Sequence, residues 1–188
     1  MEKNITIIGG GLAGSEAAYQ IAKRGIKVKL YEMKPSKFSP AHSNCNLAEI
    51  VCSNSFKSNL ITNASGLLKE ELRQLDSLLI KIADEVQVPA GQALAVDREK
   101  FAEEVTKRLE QFANIEVIRQ EVGKEISVKQ LAENGIVIIA TGPLTSDGLS
   151  GGISRLIGNE SLHFYDAAAP IIEKESIDFN IAYRFLWR

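Results

Sequence analysis

The sequence is short of several things, and each shortage removes a class of protein. Only two cysteines occur in 188 residues, Cys45 and Cys52. That is too few for a disulfide framework and suits a reducing cytosol. No apolar run approaches the length of a membrane span; the longest candidate, 136–140, is strand-sized. The apolar run at 5–8 is too short for a signal-peptide core and leads straight into glycines. Positive charge is not in excess, since 22 Lys and Arg against 24 Asp and Glu leave a formal net charge of −2. Without a global basic field, any nucleic acid would have to be held by a local patch. Internal repeats and low-complexity tracts are missing too. The expectation is a soluble, cytoplasmic α/β protein of one good-sized domain, or a domain plus an excursion.

What is present begins at residue 4. Ile5, Ile7 and Ile8 form a short apolar run that reads as a buried parallel strand. Gly9, Gly11 and Gly14 then supply the G-x-G-x-x-G spacing where that strand turns into a helix. Gly9 permits the tight turn, Gly11 lets a pyrophosphate approach bare backbone, and Gly14 lets the helix lie close on the strand. The helix runs through Ala17, Ala18, Ile21 and Ala22 towards Gly25, and its first turn offers free N–H groups to phosphate. A second apolar strand, Val28 to Tyr31, ends on Glu32, eighteen residues after Gly14, where a ribose would be hydrogen-bonded. Strand, glycines, helix, strand and acid in register predict a dinucleotide site on a doubly wound parallel sheet.

Further along, Met33 to His42 is loop, and Ser/Asn-rich chain follows Cys52 up to Gly66. Leu68, Leu72, Leu75, Leu79 and Ile82 form a stripe that predicts one helix over 67–85, capped by Ser65 and packed on its own domain. Residues 88–96 read as small and turn-rich. Asp97 caps a helix whose inner face carries Phe101, Val105, Leu109 and Phe112. Ile115 to Ile118 is a strand, 119–135 short meander strands or a hairpin, and Ile136 to Ile139 a parallel strand. Ser146 caps a short helix reaching Ile157; Leu162 to Tyr165 is a strand running into a small-residue bend at 166–170. Residues 183–188 end on four large apolar side chains without a polar tail.

Several strings together resemble one family: 9–18 (Gly-Gly-Gly-Leu-Ala-Gly-Ser-Glu-Ala-Ala), Pro40-Ala41-His42, 48–55 (Ala-Glu-Ile-Val-Cys-Ser-Asn-Ser), 88–91, 93–98, 140–146 (Ala-Thr-Gly-Pro-Leu-Thr-Ser) and 164–170. The family is the folate- and FAD-dependent tRNA (uracil-5-)-methyltransferases, TrmFO, and the resemblance runs to about Tyr183. The segment Val51-Cys52-Ser53-Asn54-Ser55 discriminates it from the related wobble-uridine flavoproteins of the GidA type. The resemblance implies a Rossmann-type FAD-binding domain over 1–170. It also implies methylenetetrahydrofolate and NAD(P)H as co-substrates and the T-loop of tRNA as partner, with neither DNA nor membrane. The cofactor residues it implies are Gly9, Gly10, Gly11, Leu12, Ala13, Gly14, Glu32 and Lys34, with Thr141-Gly142 as a second contact; no metal is implied.

Uracil C5 is a poor carbon nucleophile, and the family's mechanism invokes a thiolate adding at C6 to raise electron density at C5. Taken alone, Cys52 reads as a buried small residue; the resemblance makes it the catalytic thiol, with Ser53, Asn54 and Ser55 supplying hydrogen bonds to its thiolate. His42 is an acid/base or phosphate candidate, although the family often shows a second His where this chain has Ser43. Lys34 faces an adenosine phosphate or is solvated. Asp97-Arg98 is a cap and a surface charge, which the resemblance places near the cofactor cleft. Cys45 has no counterpart in the family pattern. Family members are far longer, continuing through a substrate domain with a second functional cysteine. Residues 171–188 therefore read as the start of that domain with an aberrant terminus, and the FAD domain as truncated. Two alternatives stand beside this reading: a non-catalytic dinucleotide-binding remnant, and a GidA-like flavoprotein.

Overall fold

In the computed structural model, which describes residues 4–158 and 176–178, chain order alternates between two kinds of sheet. The elements are β1 (Asn4–Ile8), α1 (Leu12–Ala22), β2 (Lys27–Tyr31), β3 (Ser55–Ser58), α2 (Ala64–Gln74), α3 (Leu78–Glu85), β4 (Gln87–Val88) and β5 (Ala93–Val96). They continue with α4 (Arg98–Glu110), β6 (Ile115–Ile118), α5 (Val128–Glu133), β7 (Ile136–Ile139) and α6 (Asp147–Ile157). The main sheet is parallel, in the order β6-β2-β1-β7, with Ile7 opposite Leu30 on one side and Ile138 on the other.

Alternation along these strands sends side chains to two apolar layers. Ile7, Val28 and Leu30 join Ala18, Ile82, Phe101, Val105 and Leu109 from α1, α3 and α4 in the larger core. Ile8 and Tyr31 join Val122, Val128 and Leu149, the last two from α5 and α6, in the smaller one. Helices therefore cover both faces, as continuous apolar strands demand. The fold is α/β and doubly wound, of the Rossmann type. From β1 the chain steps outward to β2 and β6, then returns to the opposite side of β1 as β7. The crevice beyond the C-terminal ends of β1 and β7 is thus the topological switch point, where such sheets hold ligands.

Several sequence expectations give way. The helix expected over 67–85 is two, because Asp76 adopts φ 56° and Ser77 caps α3, its hydroxyl accepting from Ile80 N–H. Glu16 of α1 completes that cap, its carboxylate accepting from the Ser77 hydroxyl and from the N–H groups of Leu78 and Leu79. Asn63, not Ser65, precedes α2 as its N-cap. The stripe divides accordingly: Leu79 and Ile82 are buried, whereas Leu68 and Leu75 are 55% and 71% exposed. The Ser/Asn-rich stretch and the turn-rich 88–96 stretch contribute a small antiparallel sheet in the order β3-β5-β4. The expected meander at 119–135 contains α5, which Ser127 and Gln130 start with a reciprocal capping box. The strand at 162–165, the bend at 166–170 and the terminus at 183–188 lie outside the described residues.

Candidate functional site

A cleft of about 600 Å³ opens at the switch point, lined by residues that the sequence scatters over 140 positions. Gly9 and Gly11 come from the turn after β1; Tyr31 ends β2, and Glu32 to Lys34 follow directly after it. His42 and Glu49 come from the long loop after it, Gln120 to Val122 from beyond β6, and Thr141 and 144–146 from beyond β7. Five of the ten expected cofactor residues, Gly9, Gly11, Glu32, Lys34 and Thr141, therefore line one cleft.

Each glycine of the turn has its own geometric reason. Gly9 has φ 102°, and a Cβ there would stand 2.7 Å from the Ala140 carbonyl oxygen. At Gly14 a Cβ would be 1.8 Å from the Gly9 carbonyl oxygen, which no side chain survives. At Gly11 a Cβ would meet nothing within 4 Å. That position is the bare backbone facing the cleft. Gly10, outside the G-x-G-x-x-G spacing, is also constrained, since a Cβ would strike Leu47 Cδ2 at 2.5 Å and Glu32 Oε2 at 2.8 Å. Gly11 caps α1 without a side-chain hydrogen bond, so the N–H groups of Leu12, Ala13 and Gly14 begin the helix without intrahelical acceptors.

Glu32 is buried. Its Oε2 accepts from Gly10 N–H at 2.9 Å and its Oε1 from Lys34 N–H at 3.0 Å. A carboxylate offers about four acceptor sites, so two backbone donors leave lone pairs for a ribose hydroxyl. Lys34 lines the cleft, and its ammonium is buried rather than solvated: Nζ donates to the Asn46 carbonyl at 2.7 Å and pairs with Glu49 Oε2 at 3.1 Å. Burial alone would raise the Glu49 carboxyl, but hydrogen bonds from Ser43 N–H and Lys34 outweigh it and hold the group below its ordinary value. Burial first, then the charge of Lys34, pushes His42 below its ordinary value, favouring neutral imidazole. The Ser39 hydroxyl lies 2.5 Å from His42 Nδ1. Burial would likewise raise Glu121, yet hydrogen bonds from Lys37 and Ser146 bring it down. Thr141 and Thr145 share a hydrogen bond of 2.6 Å, and Gly142 takes φ 65° to start the 3₁₀ turn Gly142–Leu144.

Cys52 sits elsewhere. It is exposed and does not line this cleft. A second, shallower cleft of about 760 Å³ lies beside it, lined by Ser53, Asn54, Val88, Val96, Asp97 and Arg98. Asp97-Arg98 therefore belongs to the Cys52 side, not to the glycine cleft. Around Cys52 the Ser53 hydroxyl donates to the Ser55 carbonyl at 3.4 Å and accepts from Ser55 N–H at 3.0 Å, while the Ser55 hydroxyl accepts from Lys57 N–H at 3.0 Å. Asp97 accepts from Lys100 N–H as the N-cap of α4. Reading by sequence missed Gln120, Glu121 and Val122 as cleft residues. Gly123 was their signal: its φ of 113° and its approach to the α6 backbone, 2.3 Å from Leu149 N for a Cβ, tuck that segment under the cleft.

The family model described as Glucose inhibited division protein A matches residues 4–185. Among curated relatives, the methylenetetrahydrofolate–tRNA-(uracil-5-)-methyltransferase TrmFO of Lactobacillus gasseri is 58% identical over 184 residues, 98% of this chain and 41% of that protein. The protein of the same name from Fusobacterium nucleatum subsp. nucleatum is 61% identical over 183 residues, covering 97% and 41%. The chain thus spans about two fifths of the length of the curated relatives it matches. Among solved structures, CtdE in complex with FAD and substrate 4 overlaps 75% of this chain and 38% of that one, at 16% identity and a TM-score of 0.44, a slight likeness.

Proposed function

Since the chain belongs to the glucose inhibited division protein A family, we propose that it is the FAD-binding part of a folate-dependent tRNA (uracil-5-)-methyltransferase. The observation that carries the reading is the glycine turn, which sets bare Gly11, the N-cap of α1, in the wall of the cleft that Glu32 lines. An adenosine diphosphate group fits such a cradle, with diphosphate on the helix N-terminus and ribose against the carboxylate. The names of relatives at 58% and 61% identity support the methyltransferase half of the proposal.

In this reading Gly9 to Gly14, with Leu12 and Ala13 at the helix start, hold the diphosphate. Glu32 takes the ribose, and Thr141-Gly142 border the far side. Bound FAD would supply the redox chemistry that reduces a folate-derived one-carbon unit to methyl, with NAD(P)H as the source of electrons. Cys52 is the candidate nucleophile, and its exposure leaves it reachable by a uridine of the tRNA T-loop. In this reading 1–170 are assigned to the dinucleotide unit and 171–188 to the start of a substrate unit. Among the described residues no helix is long and apolar enough to cross a membrane, and no His, Cys, Asp and Glu cluster would hold a metal.

Titration with FAD tests the cofactor half. Saturable uptake near one equivalent, with a shifted visible spectrum and quenched flavin fluorescence, is expected. A chain that takes up neither FAD nor ADP overturns it. Given methylenetetrahydrofolate, FAD, NADPH and unmodified tRNA, the 188 residues alone are expected to form no 5-methyluridine. Methylation abolished by Cys52→Ala would overturn that expectation and assign the thiol.

A further inference from the structure

Glu49 gathers four donors. Its Oε1 accepts from Ser43 N–H at 2.9 Å, from the Ser43 hydroxyl at 3.0 Å and from Asn44 N–H at 3.3 Å, and its Oε2 takes Lys34 Nζ at 3.1 Å. Lys34 Nζ also reaches the Asn46 carbonyl. The two side chains are only 4% and 8% exposed. A buried pair of this kind contributes little net stability, because apolar residues of the same volume commonly serve as well. What it does provide is one arrangement of the chain in place of several.

That arrangement bears on the glycine turn. Directly before Glu49, Ala48 N–H donates to the Gly10 carbonyl at 2.8 Å, and Leu47 Cδ2 fills the space a Gly10 side chain would need. From the other side, Gly10 N–H is held by Glu32, whose second oxygen is held by Lys34 N–H. The Gly10 peptide is therefore clamped between residues 32–34 and 47–49, and the Lys34–Glu49 pair is the bolt joining the two jaws. Neither ionic group needs to touch a ligand to matter.

We propose that Lys34 and Glu49 are positioning residues that preset the glycine turn for a nucleoside diphosphate. The proposal rests on the dinucleotide reading of the cleft. Its test uses ADP as probe, in calorimetric titrations of the whole chain, together with amide hydrogen exchange at 10–14 and 43–49 without ligand. Lys34→Met or Glu49→Gln alone is expected to weaken ADP about tenfold or more and to speed exchange at Gly10 and Ala48, since misplaced binding groups cost that much or more. The double variant leaves no buried charge unpaired, and its amide oxygen still accepts from Ser43 and Asn44. It is expected to return to within about threefold of the parent, coupled sites being non-additive. Where a single variant does not fold, Glu49→Asp, one methylene short of Lys34, makes the milder version of the same test.

Single variants that keep parental ADP affinity and exchange overturn the proposal. So do variants that lower the melting temperature while binding ADP normally well below it. A double variant no better than its worse parent means that Lys34 meets the phosphates itself, which also overturns it. If the parent chain binds no ADP, the dinucleotide reading fails, while exchange at Gly10 and Ala48 still decides the clamp.

Discussion

Gly11 and Gly14 stand three residues apart in one turn and answer to different masters. Gly14→Ala drives a Cβ to 1.8 Å from a backbone oxygen that cannot yield, and overpacking of that severity costs about 3 kcal/mol or more. Gly11 has an ordinary φ of −72° and open space around it. Gly11→Ala should leave stability within about 0.5 kcal/mol, as for open surface sites, while weakening ADP roughly tenfold by covering bare backbone. Urea unfolding and ADP titration of the two variants check both halves. Titration of single groups makes a second prediction. His42 is held below its ordinary 6.5 and Glu49 below its ordinary 4.5. In both, the unfolded chain binds the proton first, so unfolding free energy rises with pH through each window. The His42 share is present above about 6.5 and fades as pH falls; the Glu49 share is present above about 4.5 and is lost below it. His42→Asn should flatten the upper part of the pH–stability curve and Glu49→Gln the lower part.

At the scale of elements, the leucine stripe shows how far periodicity reaches. Spacings of four and three run unbroken from Leu68 to Ile82, and nothing in them announces that Asp76 turns left-handed and redirects the chain. The redirection is tertiary: Glu16, 61 residues upstream of Ser77, supplies acceptors for the start of α3. The prediction is correspondingly split. Leu68→Glu and Leu75→Glu, on exposed positions, should stay within about 0.5 kcal/mol, while Ile82→Ala in the core should cost about 2–5 kcal/mol. Thermal and urea unfolding of the three variants tests it. The parallel strands were legible as apolar runs that feed two buried layers, and α1 and α4 by the single apolar face each turns to the core; Asp97 and Ser146 stand at the starts of α4 and α6 as expected. The small sheet was not, because β3 is built of Ser, Phe and Lys and β4 is two residues long. The start of α5 is marked in the sequence by Ser127 followed three residues later by Gln130.

For the whole molecule, the cleft is a product of assembly. Its walls come from the ends of β1, β2, β6 and β7 and from the 39–49 loop, so it exists only when the parallel sheet is complete. The glycines and Glu32 were readable because they sit on one βαβ unit; Gln120 to Val122 and 144–149 were not, because only folding brings them near. A ligand seated there binds the folded state alone. ADP at a hundred times its dissociation constant should therefore add about 2.7 kcal/mol to unfolding, read as a shifted urea midpoint. The turn itself carries one more lesson, about lineages. Gly9 and Gly14 are demanded by neighbouring carbonyls whether or not anything is bound, whereas only an occupant of the cleft demands Gly11. A descendant released from binding would be free to drift first at position 11, keeping the other two. In homologues of this chain, the flanking glycines record ancestry, and the middle one records use.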